Sequence, residues 1–523
     1  MNDKIEDAGF GRRQIPNERI VTLDGHSLSI RELEQIAVDG YRVELSEGAM
    51  KRVEEAHRLI HELAAEGVPI YGLNRGVGQN KDREITAEMY EAFNRNLIYS
   101  HTAAVEPAAS EQQVRAVLVA RLNTLLMGCT GVQPAIVLMY RDLLNASIHP
   151  ILPLRGSIGA GDITVLSHIG LAIIGEGSVT YEGQVVAAKT ALQAAGIVPV
   201  KLGPKDGLAI VSSNALSAGT GALTAAAALR LLETADAVFA LSLEALQGCT
   251  SPFDEALFAV RPFEGSAESA ANVRSCLRGG ALERMDQSDK IQDPLSFRSA
   301  CQVHGAARDA LAHALKLLKI QLNSSDDNPC VLIEERRVVP SSNFDVTTWT
   351  IAFEMVGIAL SHLSKISCYR SLKLGTPSFT GLGRFLAPNS ETIAFGTIQK
   401  TYTSLDAEIR LLANPVSVDY FSLSGDMEDH ANNTPLVIRK TADIIDRLTY
   451  IIGIEALHAA QAIDLRGSQA ELGRGSAAVY AQIRSIVPAL TADRPLTPDI
   501  GAVYELIRRG IRIEGGALDE QVL

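Results

Sequence analysis

Three features of the 523-residue sequence predict a mainly α-helical protein, a bundle of long helices with small β-hairpins in its N-terminal domain. Apolar residues recur with helical spacing over six spans: 109–146, 215–247, 300–322, 346–373, 391–413 and 435–465. Clear β-signals are confined to two short stretches, within 18–38 and 178–195. Hydrophobic residues make up 46% of the chain with a single tryptophan, so the core must come from aliphatic side chains on helices that cover one another.

Taken in order, ERIVTLDGHSLSIRELEQIAV (18–38) reads as a short strand, a turn at Asp24-Gly25, a second short strand and a helix started by Ser29. SVTYEGQVV, from Ser178, reads as a hairpin around Glu182-Gly183, and AAKTALQAAG as a helix ended by Gly196. The later long spans lie side by side, because only long neighbours cover each other's apolar stripes. The expected division is an N-terminal domain over 1–205, a central long-helix bundle over 206–470, and a C-terminal helical segment over 471–523 punctuated by Pro488, Pro495 and Pro498. A bundle this apolar is expected to hide part of its surface between copies, which predicts a homo-oligomer.

Composition removes several functions. The formal charge is −13 and no run of Lys and Arg exceeds two, so the electrostatic footprint of a nucleic-acid binder is missing and a small-molecule substrate is expected. The N-terminal stretch MNDKIEDAGFGRRQ has no apolar signal region, and no uncharged apolar stretch of membrane length stands out, so a cytoplasmic protein without a membrane partner is expected. Six cysteines (129, 249, 276, 301, 330, 368) form no C-x-x-C pair and read as buried, reduced thiols. The sequon at Asn145 reads as incidental.

Candidate chemistry lies in turns between helices. GSIGAGDI (156–163) is glycine-dense, but it lacks the Lys-Ser/Thr of a phosphate loop, and Asp162 would repel a phosphate. His57 and His61 share a helix face without an H-E-x-x-H pattern, so no metal is expected. YGLNRGVGQNKD (71–82) carries Tyr71, YSHTAA (99–104) carries His101, QDPLSFRS (292–299) carries Arg298, and MEDH (427–430) packs two acids and a histidine. Spacing alone leaves open whether these segments meet.

The ordered set YGLNRGVG, YSHTAA, GSIGAGDITVLSH, DGLAIV, QDPLSFR, SDDNP, NF, LLANPVSVD and MEDH resembles the aromatic amino acid ammonia-lyase family over nearly the whole chain. The resemblance implies a fumarase/histidase-like helical fold and a homotetramer whose active sites are shared between subunits. It also implies carbon–nitrogen lyase chemistry, in which a tyrosine on a loop removes a β-proton and an amine departs. Most members cyclise an Ala-Ser-Gly triad to methylidene-imidazolone, an electrophile to which the substrate amine adds.

This chain departs from the pattern at that group. The G-S-x-G-A-S-G-D run appears as Gly156-Ser157-Ile158-Gly159-Ala160-Gly161-Asp162, without the triad serine, so the resemblance implies that methylidene-imidazolone is absent and the cofactor is none. The supporting Asn-Gly-Thr is replaced by Ser212-Ser213-Asn214, and Tyr-Ser-Leu-Arg by Leu295-Ser296-Phe297-Arg298. A quaternary ammonium has no lone pair to add to the electrophile and needs none, so its loss points to release of a tertiary amine.

By resemblance, Tyr71 is the base, with Lys400 and Glu428 as further catalytic groups, and Arg298 anchors the substrate carboxylate. His101, Asn214 and Tyr402 are substrate-binding, and Gly159, Ala160 and Gly161 form a pocket turn. Arg75 and Lys400 are candidates to stabilise a phenolate. The expected reaction is elimination of trimethylamine from ergothioneine to give thiolurocanate. The alternatives are an electrophile-dependent histidine or aromatic amino acid ammonia-lyase, and a catalytically silent paralogue acting in binding or oligomerisation.

Overall fold

The computed structural model describes residues 19–285, 291–418 and 421–512. They form two compact units. Of the described residues, the first gathers 19–155, 163–215 and 323–341, and the second gathers 156–162, 216–285, 291–322, 342–418 and 421–512.

In the first unit, the strand Ile20–Leu23 pairs in parallel with Arg42–Leu45, and the helix Ile30–Ala37 crosses between them. Ser29 starts that helix as expected. Its hydroxyl takes the Glu32 N–H at 3.1 Å while the Glu32 carboxylate takes the Ser29 N–H at 2.9 Å, a reciprocal capping box. The second strand expected at residues 26–28 does not form, because its ladder donors are spent elsewhere. The Asp24 carboxylate accepts from His26 and Ser27 N–H at 2.8 and 2.9 Å, and Leu28 N–H donates to the Asn323 side chain at 2.8 Å. The hairpin Ser178–Tyr181/Gln184–Ala187 forms in the expected place, with Glu182 and Gly183 both at positive φ (49° and 75°), as a tight hairpin turn requires.

Besides the Arg42–Leu45 strand, three pairings went unread in the sequence: Val105–Ala108 with Pro153–Arg155, His149–Pro150 with the hairpin, and Cys330–Leu332 with Arg337–Val339. The span 109–146 is two helices, Glu111–Leu125 and Pro134–Asn145, the second opening on the proline whose missing N–H is harmless there. The Asn145 side chain makes two 2.9 Å hydrogen bonds to the Val43 backbone, which occupies it structurally.

The second unit is built from long helices: Ala215–Leu246, Ala300–Leu322, Thr347–Leu374, Ile398–Leu412 and Thr434–Arg466. Thr347–Leu374 packs on both Ala300–Leu322 and Thr434–Arg466. It buries Phe353, Leu360 and Leu363, each contributing about 1.5–3 kcal/mol by leaving water. Within this apolar packing, Arg370 forms an ion pair with Glu455 at 2.6 and 2.8 Å, and Ser242 and Ser367 donate to the same carboxylate, so three helices meet on one buried charge pair. The span 391–413 becomes helical only at Ile398, because the Asp493 carboxylate draws off the N–H groups of Ile393 and Ala394 at 2.8 Å each.

Asp206–Leu246 and Thr347–Leu374 are long and apolar enough to cross a membrane by length and composition, contrary to the sequence reading. In the first of them 78% of the apolar window is buried inside the protein, as in a core helix. Four cysteines are buried as expected, but Cys129 and Cys368 are half-buried.

Candidate active site

In the first unit, Tyr71 sits on a loop that folds around its own polar atoms. The Asn74 side chain accepts from Ile70 N–H at 2.6 Å and donates to Val68 O at 2.8 Å, and Gly72 N–H donates to Arg75 O at 3.0 Å. The loop closes on the tyrosine itself, whose phenolic oxygen accepts the Gly78 N–H at 2.7 Å. Gly72 has φ +73°, and a Cβ there would lie 2.2 Å from the Leu208 side chain, so any other residue would be strained and would push Leu208 aside.

His101 ends the helix Tyr90–His101. Its Nδ1 lies 2.8 Å from the Leu97 carbonyl, which can only accept, so Nδ1 donates there and Nε2 is the ring nitrogen left for other partners.

Asn214 is fully buried, and its backbone N–H donates to Asp326 at 2.8 Å beside the Ser213 hydroxyl at 2.7 Å. Asp326 and Asp327 are paired with Arg121 at 3.1 and 3.2 Å, and Thr130 donates to Asp327 at 2.7 Å. Lys205, also fully buried, donates to Thr130 O and, at 3.3 Å, to Pro329 O. Burial pushes the Asp326 carboxyl up and the Lys205 ammonium down; Arg121 opposes the first shift and Asp327 the second. This network beneath residues 213 and 214 went unread in the sequence. The adjacent acids of SDDNP were its one signal, and their partners lie far away in the chain.

In the second unit, the glycine turn is braced from within. The Ser157 hydroxyl donates to Asp162 at 2.7 Å, and Ser217 donates to Asp162 through its N–H at 3.0 Å and its hydroxyl at 3.2 Å. The fully buried Asp162 carboxylate thus spends its lone pairs on the scaffold. Ile158 O accepts from Asn432 and Asn433 N–H at 3.3 and 2.8 Å, which stitches the turn to the segment following MEDH. Gly159 has φ +85°, and a Cβ there would sit 2.2 Å from Asn432 Oδ1. Gly161 is buried and Ala160 half-buried beside it.

Arg298 closes the short helix Leu295–Arg298, whose Ser296 carbonyl accepts from Arg370 at 3.3 Å. Its Nε is buried with no hydrogen-bond partner among the described residues, so the guanidinium is available to a carboxylate. Glu428 lies in a tight turn: its backbone pairs with Leu423 at 2.9 and 3.2 Å, and Ser424 donates to its carboxylate at 2.8 Å. The neighbouring His430 faces Asp345 at 3.1 Å.

Lys400 and Tyr402 occupy the helix Ile398–Leu412 but not one face of it, since two residues turn a helix by about 200°. Lys400 is exposed and Tyr402 is buried beside His458, with ring centroids 6.4 Å apart. Burial raises the Tyr402 phenol far above its ordinary value, so it stays protonated.

His57 Nδ1 is 3.0 Å from Gly131 O, and the His57 and His61 rings meet edge to face at 4.6 Å. No cluster of three or more metal-ligating side chains occurs among the described residues. Tyr71, His101 and Asn214 therefore belong to the first unit, and the glycine turn, Arg298, Lys400, Tyr402 and Glu428 to the second.

Residues 28–485 match the aromatic amino acid lyase family. A histidine ammonia-lyase of Treponema denticola is 37% identical over 497 residues, spanning 94% of this chain and 98% of that protein. Among solved structures, the ergothioneine-degrading enzyme ergothionase from Treponema denticola, in complex with desmethyl-ergothioneine sulfonic acid, is 46% identical with a TM-score of 0.90, covering 94% of this chain and 99% of that one. A tyrosine aminomutase from Streptomyces globisporus superposes with a TM-score of 0.90 at 31% identity, covering 94% of this chain and 97% of that one. Fold and relatives together define a carbon–nitrogen lyase. The chain belongs to the aromatic amino acid lyase family.

Proposed function

We propose that this lyase acts on an imidazole amino acid bearing a quaternary amine, releasing trimethylamine from ergothioneine and leaving thiolurocanate, without methylidene-imidazolone. One observation carries the reading. In the turn 156–162, Ala160 is followed directly by Gly161, and the turn's only hydroxyl, on Ser157, is held by Asp162. The residues do not fit the electrophile: there is no triad serine to lose its oxygen as water and leave an exocyclic methylidene. The 46% identity to ergothionase over 94% of the chain supports the same substrate class.

The residues then divide the work without an electrophile. Tyr71, as phenolate, takes the β-proton; the electrons of that C–H bond become the Cα–Cβ double bond, and the C–N pair leaves with trimethylamine. Ionising a tyrosine of ordinary pKa at pH 7 costs about 4 kcal/mol. The hydrogen bond that Tyr71 accepts from Gly78 N–H favours the phenolate, and the cations Arg75 and Lys400 are assigned to lower it further. Arg298 pairs with the carboxylate. His101, through Nε2, and Glu428 hold the imidazole ring, while Asn214, Tyr402 and the turn Gly159–Gly161 form the wall. Each site draws these residues from more than one copy of a homotetramer. Ile351, Met355 and Ile358, exposed along one stripe of Thr347–Leu374, support that assembly.

The test incubates the purified protein separately with ergothioneine and L-histidine, following the conjugated product in the ultraviolet and assaying trimethylamine and ammonia. Trimethylamine from ergothioneine alone is expected. Ammonia from histidine would overturn the reading in favour of the activity named for the 37% identical relative, and neither product would favour a silent paralogue.

A further inference from the structure

Two cysteines far apart in sequence meet in the first unit. Cys129 lies just after the helix Glu111–Leu125, and Cys330 opens the strand Cys330–Leu332. Val331 N–H donates to Cys129 O at 2.8 Å, which brings the two backbones to the spacing of paired strands, within reach of a disulfide. Thr130, next to one cysteine, donates to Asp327 at 2.7 Å. The Lys205 ammonium donates to Thr130 O and, at 3.3 Å, to Pro329 O, the carbonyls of the residues next to each cysteine. Neither thiol is strongly engaged elsewhere: Cys129 Sγ lies 3.9 Å from Met127 O and Cys330 Sγ 4.0 Å from Val331 O, weak contacts within their own segments.

We propose that Cys129 and Cys330 form a reversible dithiol/disulfide site, oxidised by small hydroperoxides, that clamps the 128–131 loop to the segment carrying Asp326 and Asp327. The roles of the two sulfurs differ. The neighbouring Cys129 thiol lowers the Cys330 thiol to about 7 against the opposing effects of burial and Asp327, with Lys205 helping, while Cys129 beside it is raised. Cys330 thiolate attacks the peroxide, giving a sulfenic acid and one water. The Cys129 sulfur then attacks the sulfenic sulfur and expels the second water, so two thiols and one hydrogen peroxide become one disulfide and two waters. Cys129 is half-buried, which gives a small oxidant an approach. Cys276, Cys301 and Cys368 differ: burial, their leading influence, raises all three thiols.

The experiment treats the full-length protein with hydrogen peroxide, then blocks remaining thiols and maps peptides without reduction. The expected result is an intact mass lower by two hydrogens, a single Cys129–Cys330 cross-linked peptide, and reversal by dithiothreitol. The oxidised form should unfold several degrees above the reduced form, because the bond closes a long loop. Cys129→Ser and Cys330→Ser should each lose the cross-link, and Cys276→Ser should keep it. Unchanged mass, a cross-link between other cysteines, oxygen added to Cys330 without a cross-link, or a cross-link with no rise in melting temperature would each overturn the proposal.

Discussion

Residues 71–78 and 156–162 are both glycine-rich turns, and they are held in opposite ways. The tyrosine loop closes onto its own functional atom: the Tyr71 oxygen takes the Gly78 N–H, so the loop's fold and the proposed base share one hydrogen bond. The other turn closes onto a scaffold. Asp162 collects Ser157 and Ser217, and Gly159 is pressed against Asn432. The difference explains how the turn 156–162 keeps its shape with no serine between Ala160 and Gly161. Nothing that holds 156–162 in shape depends on the missing serine, whereas the loop at 71–78 loses a closing contact with its phenol.

The largest expected effect follows from that asymmetry. Tyr71→Phe should lower kcat on ergothioneine by about 10²–10⁴-fold, the usual reach of a positioned acid–base group, and shift the melting temperature only slightly. A variant retaining more than a tenth of wild-type turnover would take the base role away from Tyr71. Next comes Gly159→Ala. The left-handed backbone and the 2.2 Å approach to Asn432 should together destabilise the protein by about 2–4 kcal/mol, read by denaturant titration. Gly78→Ala, also left-handed at φ +56° but with open space around its Cβ, should lose only the backbone part, about 1–2 kcal/mol. Equal losses at both positions would mean that crowding is not what makes Gly159 necessary.

What the sequence made legible follows the range of each interaction. The long helices were readable because a 3.6-residue period repeats across thirty residues, as in Thr434–Arg466, which is 33 residues long and falls within two residues of its expected limits. The 178–187 hairpin was readable because two adjacent residues set its turn. Residues 26–28 misled because Asp24 and a distant Asn323 take the donors that a strand needs, and only one of those partners is local. At the site, the altered Ala160-Gly161 was visible as a gap in an ordered motif. The Arg121–Asp326–Asp327–Lys205 network was not, because its partners stand up to 206 residues apart and no local pattern marks a buried lysine.

Ser157→Ala comes third. If Ser157 only braces Asp162, its loss removes one hydrogen bond to a buried carboxylate that keeps the Ser217 donors. Stability should then fall by about 1–2 kcal/mol, with kcat unchanged to within about twofold. A loss of turnover with stability intact would instead make Ser157 a chemical participant and return the turn to the status of a catalytic group.

The smallest effect separates two tyrosines. Tyr71 has its oxygen in a hydrogen bond at the end of a half-buried loop, while the Tyr402 hydroxyl is buried with no hydrogen-bond partner among the described residues. Tyr402→Phe therefore removes a group that loses hydration on folding and gains no protein hydrogen bond in return, so stability should change by less than about 0.5 kcal/mol or rise. Because burial keeps the Tyr402 phenol protonated, its removal should also leave the alkaline-rising limb of the kcat/KM profile where it was, and only Tyr71→Phe should abolish that limb. A shift of the limb in Tyr402→Phe would show that this phenol titrates in the working enzyme. The proposed proton transfer would then run through the helix Ile398–Leu412 rather than through the loop at 71–78 alone.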